Sequence, residues 1–362
     1  VGSEMCIRDR ASEILSYGID NGINIIDTAY PYHSAGIDGN GNSEVFIGKF
    51  LKENSYRDDV LISTKSPCWL MEEKGDFEYY LDKQLEKLQT DSIDIYLLHA
   101  LTKDDWDKVR KLRVLDFLDD SLSSGKIKHV GFSSHTEIDT FVDILDAYPK
   151  WEVVLTQMNY LDEYYQTGVM GLDELKRLNI GSMIMEPLRG GRLVQNIPPE
   201  VQKLWNSAEV KRTPVEWALE YLWNRDDVDC VLSGMNSLEQ VRQNIQIASD
   251  VKEISEHDHD LIREVARTYK TLTGNDCTCC GYCMPCPEDV DIINCFKEYN
   301  IGKMLNNPKG SALQYFTLID DDCRADSCIN CGECEFVCPQ MLDIPQELEK
   351  VDEYFGREFN HF

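Results

Sequence analysis

The sequence predicts an α/β protein: a (β/α)₈ TIM barrel followed by a small cysteine-rich domain. Three observations carry that expectation. From Ala11 to Asp250, short apolar or β-branched runs alternate with longer amphipathic stretches, the pattern of βα units building a parallel sheet. The chain has 362 residues, and a barrel of this kind takes about 250, which leaves room for one small further domain. Its cysteines concentrate near the C-terminus in two tight runs, each closing in Cys-Pro.

In chain order, residues 1–10 show neither a strand nor a helix period and read as a translated adapter artefact joined to a truncated reading frame. A helix is predicted over Ala11 to Tyr17. The barrel strand that should precede it is absent from the sequence, so roughly 30 natural residues are expected upstream. Seven strands follow, near Ile23–Asp27, Val60–Lys65, Ile93–His99, His129–Ser133, Val153–Asn159, Gly181–Glu186 and Asp229–Ser233. Leu81, Leu85 and Leu88 stand at helical spacing within Phe77–Leu88. Pro214 after Thr213 opens another helix running to Trp223. The barrel is therefore assigned to residues 11–256, a linking helix to 257–274, a cysteine-rich domain to 275–345 and a C-terminal tail to 346–362. In the cysteine-rich part, only Leu313 to Ile319 shows a longer periodic stretch.

Composition narrows the class of function. A hydrophobic fraction of 42% and a charged fraction of 28% suffice for a sizeable core. The formal net charge of -29 argues against nucleic acid and anionic membrane as partners, because both would repel such a surface. No apolar run of about 20 residues appears, and no signal-peptide core follows Arg8 and Arg10, so the expected location is the cytoplasm. Fourteen cysteines would suggest disulfides in a small secreted chain, but their spacing here reads as metal ligation in a reducing compartment.

The barrel's chemistry-bearing residues sit at predicted strand ends, where this architecture keeps its active sites. They are Asp27 and Tyr32 in Ile25-Ile26-Asp27-Thr28-Ala29-Tyr30-Pro31-Tyr32-His33, Lys65 in Ser63-Thr64-Lys65, and His99 in Tyr96-Leu97-Leu98-His99. This order resembles the aldo-keto reductase family, and the likeness extends through Gly41-Asn42-Ser43-Glu44, Gly131-Phe132-Ser133-Ser134-His135, Gln157-Met158-Asn159-Tyr160, Glu186-Pro187-Leu188-Arg189-Gly190-Gly191 and Leu232-Ser233-Gly234-Met235. The resemblance implies a catalytic tetrad of Asp27, Tyr32, Lys65 and His99, and hydride transfer between a nicotinamide and a small carbonyl or alcohol substrate. Hydride reaching a carbonyl carbon leaves charge on the oxygen, so a proton donor must stand beside it. Free phenols titrate near about 10, but a neighbouring ammonium favours the phenolate. Tyr32 beside Lys65 answers that need, with Asp27 holding Lys65 and His99 orienting the carbonyl. Singly, a strand-end Lys or Asp also suits a structural ion pair, and a lone His a core hydrogen bond.

The resemblance implies cofactor contacts from Ser133, Gln157, Asn159 and Ser233. Gly234, Gln240 and Asn244 lie in the segment after the last strand. There Ser237 and Gln240 form a capping-box pattern opening a helix whose free N–H groups suit a phosphate. Gly190, Gly191 and Gly234 permit close backbone approach or serve as turn punctuation. Many NADP-dependent relatives carry a Lys and an Arg where Gly234 and Gln240 stand, so the cofactor is NADP or NAD, with Arg242 or Lys252 as substitute cations.

The run Cys328-Ile329-Asn330-Cys331-Gly332-Glu333-Cys334-Glu335-Phe336-Val337-Cys338-Pro339 has the bacterial-ferredoxin spacing. The earlier run, Cys277 to Pro287, has Cys277, Cys280, Cys283 and Cys286, one residue shorter before its last cysteine, with an extra Cys279. Two [4Fe-4S] clusters are predicted. Because the fourth cysteine of each run ligates the other cluster in two-cluster ferredoxins, Cys277, Cys280, Cys283 and Cys338 form one set, and Cys328, Cys331, Cys334 and Cys286 the other. Tetrahedral zinc is the alternative for Cys-x-x-Cys pairs. The clusters would serve an external one-electron redox partner or staple a domain with little core. A competing reading makes the chain an electron-transfer or scaffold subunit that binds nicotinamide without turning over a carbonyl.

Overall fold

The structure is a computed structural model that describes residues 4–34, 40–338 and 340–359. It divides into two units, Val1–Gly190 with Val215–Ile254, and Gly191–Pro214 with Ser255–Phe362. The first unit is thus discontinuous. The segment Gly191–Pro214 groups with the second unit, whereas the sequence reading placed it inside a continuous barrel at 11–256.

In the first unit, helix α1 (Glu4–Asp20) leads into strand β1 (Ile25–Asp27). The expectation that residues 1–10 lack helical structure is corrected over Glu4–Arg10, where the helix predicted from Ala11 extends backward. Elongation adds one hydrogen bond per residue once a helix is nucleated. Then follow α2 (Ser43–Glu53), β2 (Leu61–Ser66), α3 (Gly75–Leu88), β3 (Ile93–Leu101), α4 (Lys103–Lys111), α5 (Val114–Ser123), β4 (Ile127–Ser134), α6 (Ile138–Ala147), β5 (Val153–Gln157), α7 (Gly168–Leu178) and β6 (Gly181–Met185). After the excursion into the second unit come α9 (Pro214–Trp223), β7 (Cys230–Val231) and α10 (Leu238–Ser249), the excursion itself carrying α8 (Pro199–Ser207). The seven strands pair in parallel in sequence order, β1 to β7. All seven lie where the alternating pattern placed them.

The sheet is curled. Ile95, Leu97, Leu155 and Met183 form an interior cluster that Ile25 of β1 and Cys230 of β7 both pack against. Outside, α1 packs on α10, so helices meet across the two sheet edges even though β1 and β7 are not hydrogen-bonded to each other. Gly131 is required at its interior position: a Cβ there would sit 1.9 Å from the carbonyl oxygen of Val153. Among the described residues no helix is long and apolar enough to cross a membrane.

The second unit is helical, with α11 (Glu256–Thr271), α12 (Ile292–Met304), α13 (Pro308–Leu318) and α14 (Ile344–Phe359). The sequence reading missed α12 and treated α14 as a tail. The signal was present, because Leu348, Val351 and Phe355 recur at helical spacing and are fully buried together with Phe296 and Tyr315. The cysteine runs pack against this core, which is therefore larger than expected.

The two runs are conformational copies of each other. Cys279 and Asn330, the residues before the second cysteine of each set, both have φ of 57°, and Gly281 and Gly332 follow with φ of 79° and 75°. Three residues after each Cys-Pro cysteine, Asp289 and Met341 again turn left-handed, their N–H groups donating to the carbonyls of Cys286 and Cys338. Asp291 then accepts from Asn294 N–H to open α12, and Asp343 accepts from Gln346 N–H at the start of α14. A loop–helix motif therefore occurs twice, despite the one-residue difference between the runs.

Candidate active site and cysteine pockets

Side chains alternate across a strand, so register decides which groups share the barrel interior. Asp27 pairs with Ser63, Ser63 with Ile95, and Lys65 with Leu97. Since Ile95 and Leu97 face the interior, Asp27, Lys65 and His99 (two beyond Leu97) face it too, at the C-terminal ends of β1, β2 and β3. On β4, Ser133 stands two beyond Gly131, and on β5 Gln157 stands two beyond Leu155. A polar layer thus caps the apolar interior cluster.

Lys65 is buried at 1% exposure, and its ammonium needs partners there. Its Nζ donates to Asp27 Oδ2 at 2.5 Å and to the Thr28 carbonyl at 2.8 Å, and lies 3.4 Å from Tyr32 Oη. Ser63 Oγ donates to the other Asp27 oxygen at 2.7 Å. A second buried lattice holds the same strand end. Glu44 accepts from Thr64 Oγ1, Gln84 Nε2 and Lys87 Nζ, while Gln84 also donates to the Lys65 carbonyl at 3.0 Å. Tyr32, by contrast, is 41% exposed, open to a substrate.

The His99 ring meets the Tyr32 ring edge-on, centroids 5.9 Å apart, and lies 5.2 Å from the Trp69 ring. Its Nδ1 is buried without a hydrogen-bond partner. Burial, with Lys65 and His135 nearby, drives the imidazole down to about 3, so His99 is neutral across the physiological range. An orphaned polar atom beside an exposed phenol is a place for a substrate oxygen. Sequence reading missed Trp69. Its only signal is its position in the loop that follows Lys65, and nothing in its spacing foretold a contact with His99.

The expected cofactor residues behave differently from one another. Ser133 is buried, and its Oγ accepts from Ala100 N–H at 2.7 Å, leaving its own hydroxyl proton to donate. Gln157 Nε2 donates to Asp162 Oδ2. Asn159 is committed to the loop: its amide donates to Asp162 and to the Glu186 carbonyl, and its oxygen accepts from Leu161 and Asp162 N–H. Asp162, which sequence reading passed over, is the hub that also pairs with Arg189 at 3.2 Å.

Gly190 and Gly191 have φ of 64° and 84°, a left-handed backbone that favours glycine. Gly234 has no positive φ and open space where a Cβ would stand. At α10, Ser237 Oγ accepts from Gln240 N–H, while Gln240 Oε1 reaches back to Asn236 N–H, one residue earlier than the capping box predicts. Asn244 Nδ2 donates to Ser233 Oγ at 3.0 Å. The two substitute cations are engaged: Arg242 lies over the Tyr17 ring and Lys252 pairs with Glu216.

In the second unit the cysteines line two cavities. One, of about 200 Å³, is lined by Cys283, Cys286, Cys328, Cys331 and Cys334. The other, about 20 Å³, is lined by Cys277, Cys279, Cys280, Cys283 and Cys338. Among the described residues no three Cys, His, Asp or Glu side chains converge on a single-ion site; the thiols surround cavities instead. Cys68 and Cys295, outside the runs, are fully buried, and burial pushes both thiols up to about 12, which makes them packing residues.

The curled parallel sheet, with its interior Lys–Asp pair beneath an exposed tyrosine, defines a TIM-barrel oxidoreductase. The aldo/keto reductase family model matches residues 3–267, and the chain belongs to that family. It is 28% identical over 268 residues to the L-galactose dehydrogenase of Arabidopsis thaliana, covering 67% of this chain and 79% of that one. It is 26% identical over 292 residues to the NADH-specific methylglyoxal reductase of Escherichia coli, covering 68% and 84%. A solved aldo-keto reductase from Bacillus halodurans in its holo form superposes with a TM-score of 0.57 at 25% identity, covering 71% of this chain and 87% of that one. An aldo-keto reductase from Klebsiella pneumoniae in complex with NADPH, 21% identical with a TM-score of 0.57 and coverage of 72% and 86%, shares the fold.

Proposed function

We propose that this reductase transfers hydride between NAD(P)H and a small carbonyl or alcohol through Asp27, Tyr32, Lys65 and His99, and that its second unit holds two [4Fe-4S] clusters. The observation that carries the first part is the convergence of four side chains on one polar layer, with Lys65 Nζ touching Asp27, the Thr28 carbonyl and Tyr32 Oη.

A bound nicotinamide supplies the hydride. Tyr32 gives its phenolic proton to the carbonyl oxygen, and the buried Lys65 ammonium stabilises the phenolate left behind. Asp27 and the Thr28 carbonyl keep that ammonium in place. Neutral His99 donates a ring N–H to the carbonyl oxygen and so fixes its orientation. In alcohol oxidation the Tyr32 phenolate takes the proton back. The free hydroxyl proton of Ser133 and the uncommitted carbonyl of Gln157 suit the nicotinamide amide, while Ser233, Asn244 and the α10 N-terminus suit the phosphates. Gly190 and Gly234 each leave the backbone open, with nothing where a Cβ would stand. Asn159 reaches the cofactor only if it gives up bonds it now makes within its loop. NADP and NAD both remain in the proposal, since one relative is named as NADH-specific and one structural neighbour was solved with NADPH.

The second part is supported by the composition of the two cavities. Each contains one of the two crossed sets inferred from the ferredoxin-like spacing, Cys277, Cys280, Cys283 and Cys338 in one, Cys286, Cys328, Cys331 and Cys334 in the other. A four-iron cube binds one thiolate at each iron corner, so its ligands surround a space and do not meet at a point. In the tighter cavity Cys280 is exposed. Clusters of this kind suit a reducing cytoplasm and exchange electrons with a one-electron partner. The test is anaerobic oxidation of NADH and NADPH by methylglyoxal and other small carbonyls, and reduction of NAD+ and NADP+ by L-galactose, with Tyr32→Phe as control. Turnover above that control is expected with at least one substrate. Consumption no faster than the control with every substrate and both cofactors would overturn the enzymatic role of the tetrad.

A further inference from the structure

The second unit carries exposed apolar side chains in and beside its cysteine runs. Tyr282 is 67% exposed, Ile329 61% and Phe336 92%. Tyr282, Ile329 and Val337 border the same cavity as Cys286, Cys328, Cys331 and Cys334, and Glu288 and Glu333 stand on that border too. Phe336 adjoins Val337 in sequence. Apolar groups left in water at the mouth of a cysteine-lined cavity mark a contact surface. Within the two cysteine runs the charge has one sign. From Asp276 to Asp291 and from Asp326 to Asp343, every charged residue is acidic. The surface therefore attracts a cationic partner and repels an anionic one.

We propose that this face, an apolar centre of Tyr282, Ile329, Phe336 and Val337 rimmed by Glu288 and Glu333, docks a one-electron carrier protein whose own redox centre is ringed by lysines. The inference rests on the cluster reading above. With a cluster held by Cys286, Cys328, Cys331 and Cys334, one electron would pass between it and the carrier's centre, one being oxidised as the other is reduced, and no proton would need to move. The apolar centre excludes water at close approach, and the acidic rim steers the encounter.

The test uses the full chain, reconstituted anaerobically, reduced with dithionite and desalted, then mixed with ferric cytochrome c, a cationic protein with an exposed haem edge. Iron and sulfide are measured first. A chain that takes up no iron refutes the cluster reading, and the docking face falls with it. With clusters present, the second-order rate of haem reduction should fall about 10-fold or more in Glu288→Lys/Glu333→Lys and by less in Glu288→Gln/Glu333→Gln. The exposed pair Glu78→Lys/Glu86→Lys on α3 changes net charge equally and should shift the rate less than about 2-fold. Phe336→Ser should slow the reaction at high salt, where steering is screened. Reduction of benzoquinone, which needs no docking, should be unchanged in every variant. Equal slowing by the α3 pair and the Glu288/Glu333 pair would mean attraction to net charge alone and would overturn the proposal. So would a rate indifferent to Glu288, Glu333 and Phe336 with clusters intact.

Discussion

At the scale of single residues, the site sets a buried cation, Lys65, beside an exposed phenol, Tyr32. Removing only the Tyr32 hydroxyl leaves the ring and the pocket wall, so Tyr32→Phe should lower kcat by roughly 10²–10⁴-fold while nucleotide binding, read by fluorescence titration, survives. A comparable loss of nucleotide affinity would assign Tyr32 a different role. His99 makes a prediction about pH. Its folded-state value of about 3 lies below the value near about 6.5 of an unfolded histidine. Between those values the unfolded chain binds the extra proton, so this contribution to stability is full above about 6.5 and is lost as pH falls toward about 3. The urea midpoint of His99→Gln should therefore decline less between pH 7 and pH 5 than that of the parent. Identical slopes would show that the imidazole is hydrated and not held neutral by burial.

At the scale of elements, the sheet edges and α10 are the informative parts. β3 and β4 are flanked on both sides, while β1 and β7 each have a free edge in the described sheet. Amide exchange should be slowest in β3 and β4 and fastest in β1 and β7. Uniform protection across all seven strands would mean that the edges are covered. Among the described residues, the two candidate cations for a 2′-phosphate near α10, Arg242 and Lys252, are turned to other partners, and Glu239 adds a negative charge in the first turn. Gly234 has room for a side chain without backbone strain, so Gly234→Lys should lower the KM for NADPH relative to NADH by about 10-fold, the worth of one charge-assisted bond to phosphate. An unchanged ratio would place the adenosine phosphate elsewhere.

At the scale of the whole molecule, a duplicated loop–helix motif arranges cysteines from both runs around each of two cavities. Anaerobic preparation should yield about eight iron atoms per chain. Cys338→Ala should damage the cluster held by Cys277, Cys280 and Cys283 and spare the one held by the rest of its own run, as cluster-specific electron paramagnetic resonance signals can separate. Loss of the other cluster would mean that each run serves itself.

The strand order, the polar residues at the strand ends and the cysteine spacing were legible in the sequence because each is a local pattern: an apolar run between amphipathic stretches, a polar residue ending that run, a thiol at every third position. Helix α14 was equally legible in Leu348, Val351 and Phe355, and was overlooked beside the louder cysteine signal. The tertiary structure alone decided what depends on distant neighbours. It brought Trp69 against His99, buried His99 enough to keep it neutral, spent Asn159 on a loop organised by Asp162, grouped Gly191–Pro214 with the second unit, and set Cys338 beside Cys283. Desolvation and cavity lining are properties of what surrounds a group, and residues far apart in the chain supply those surroundings.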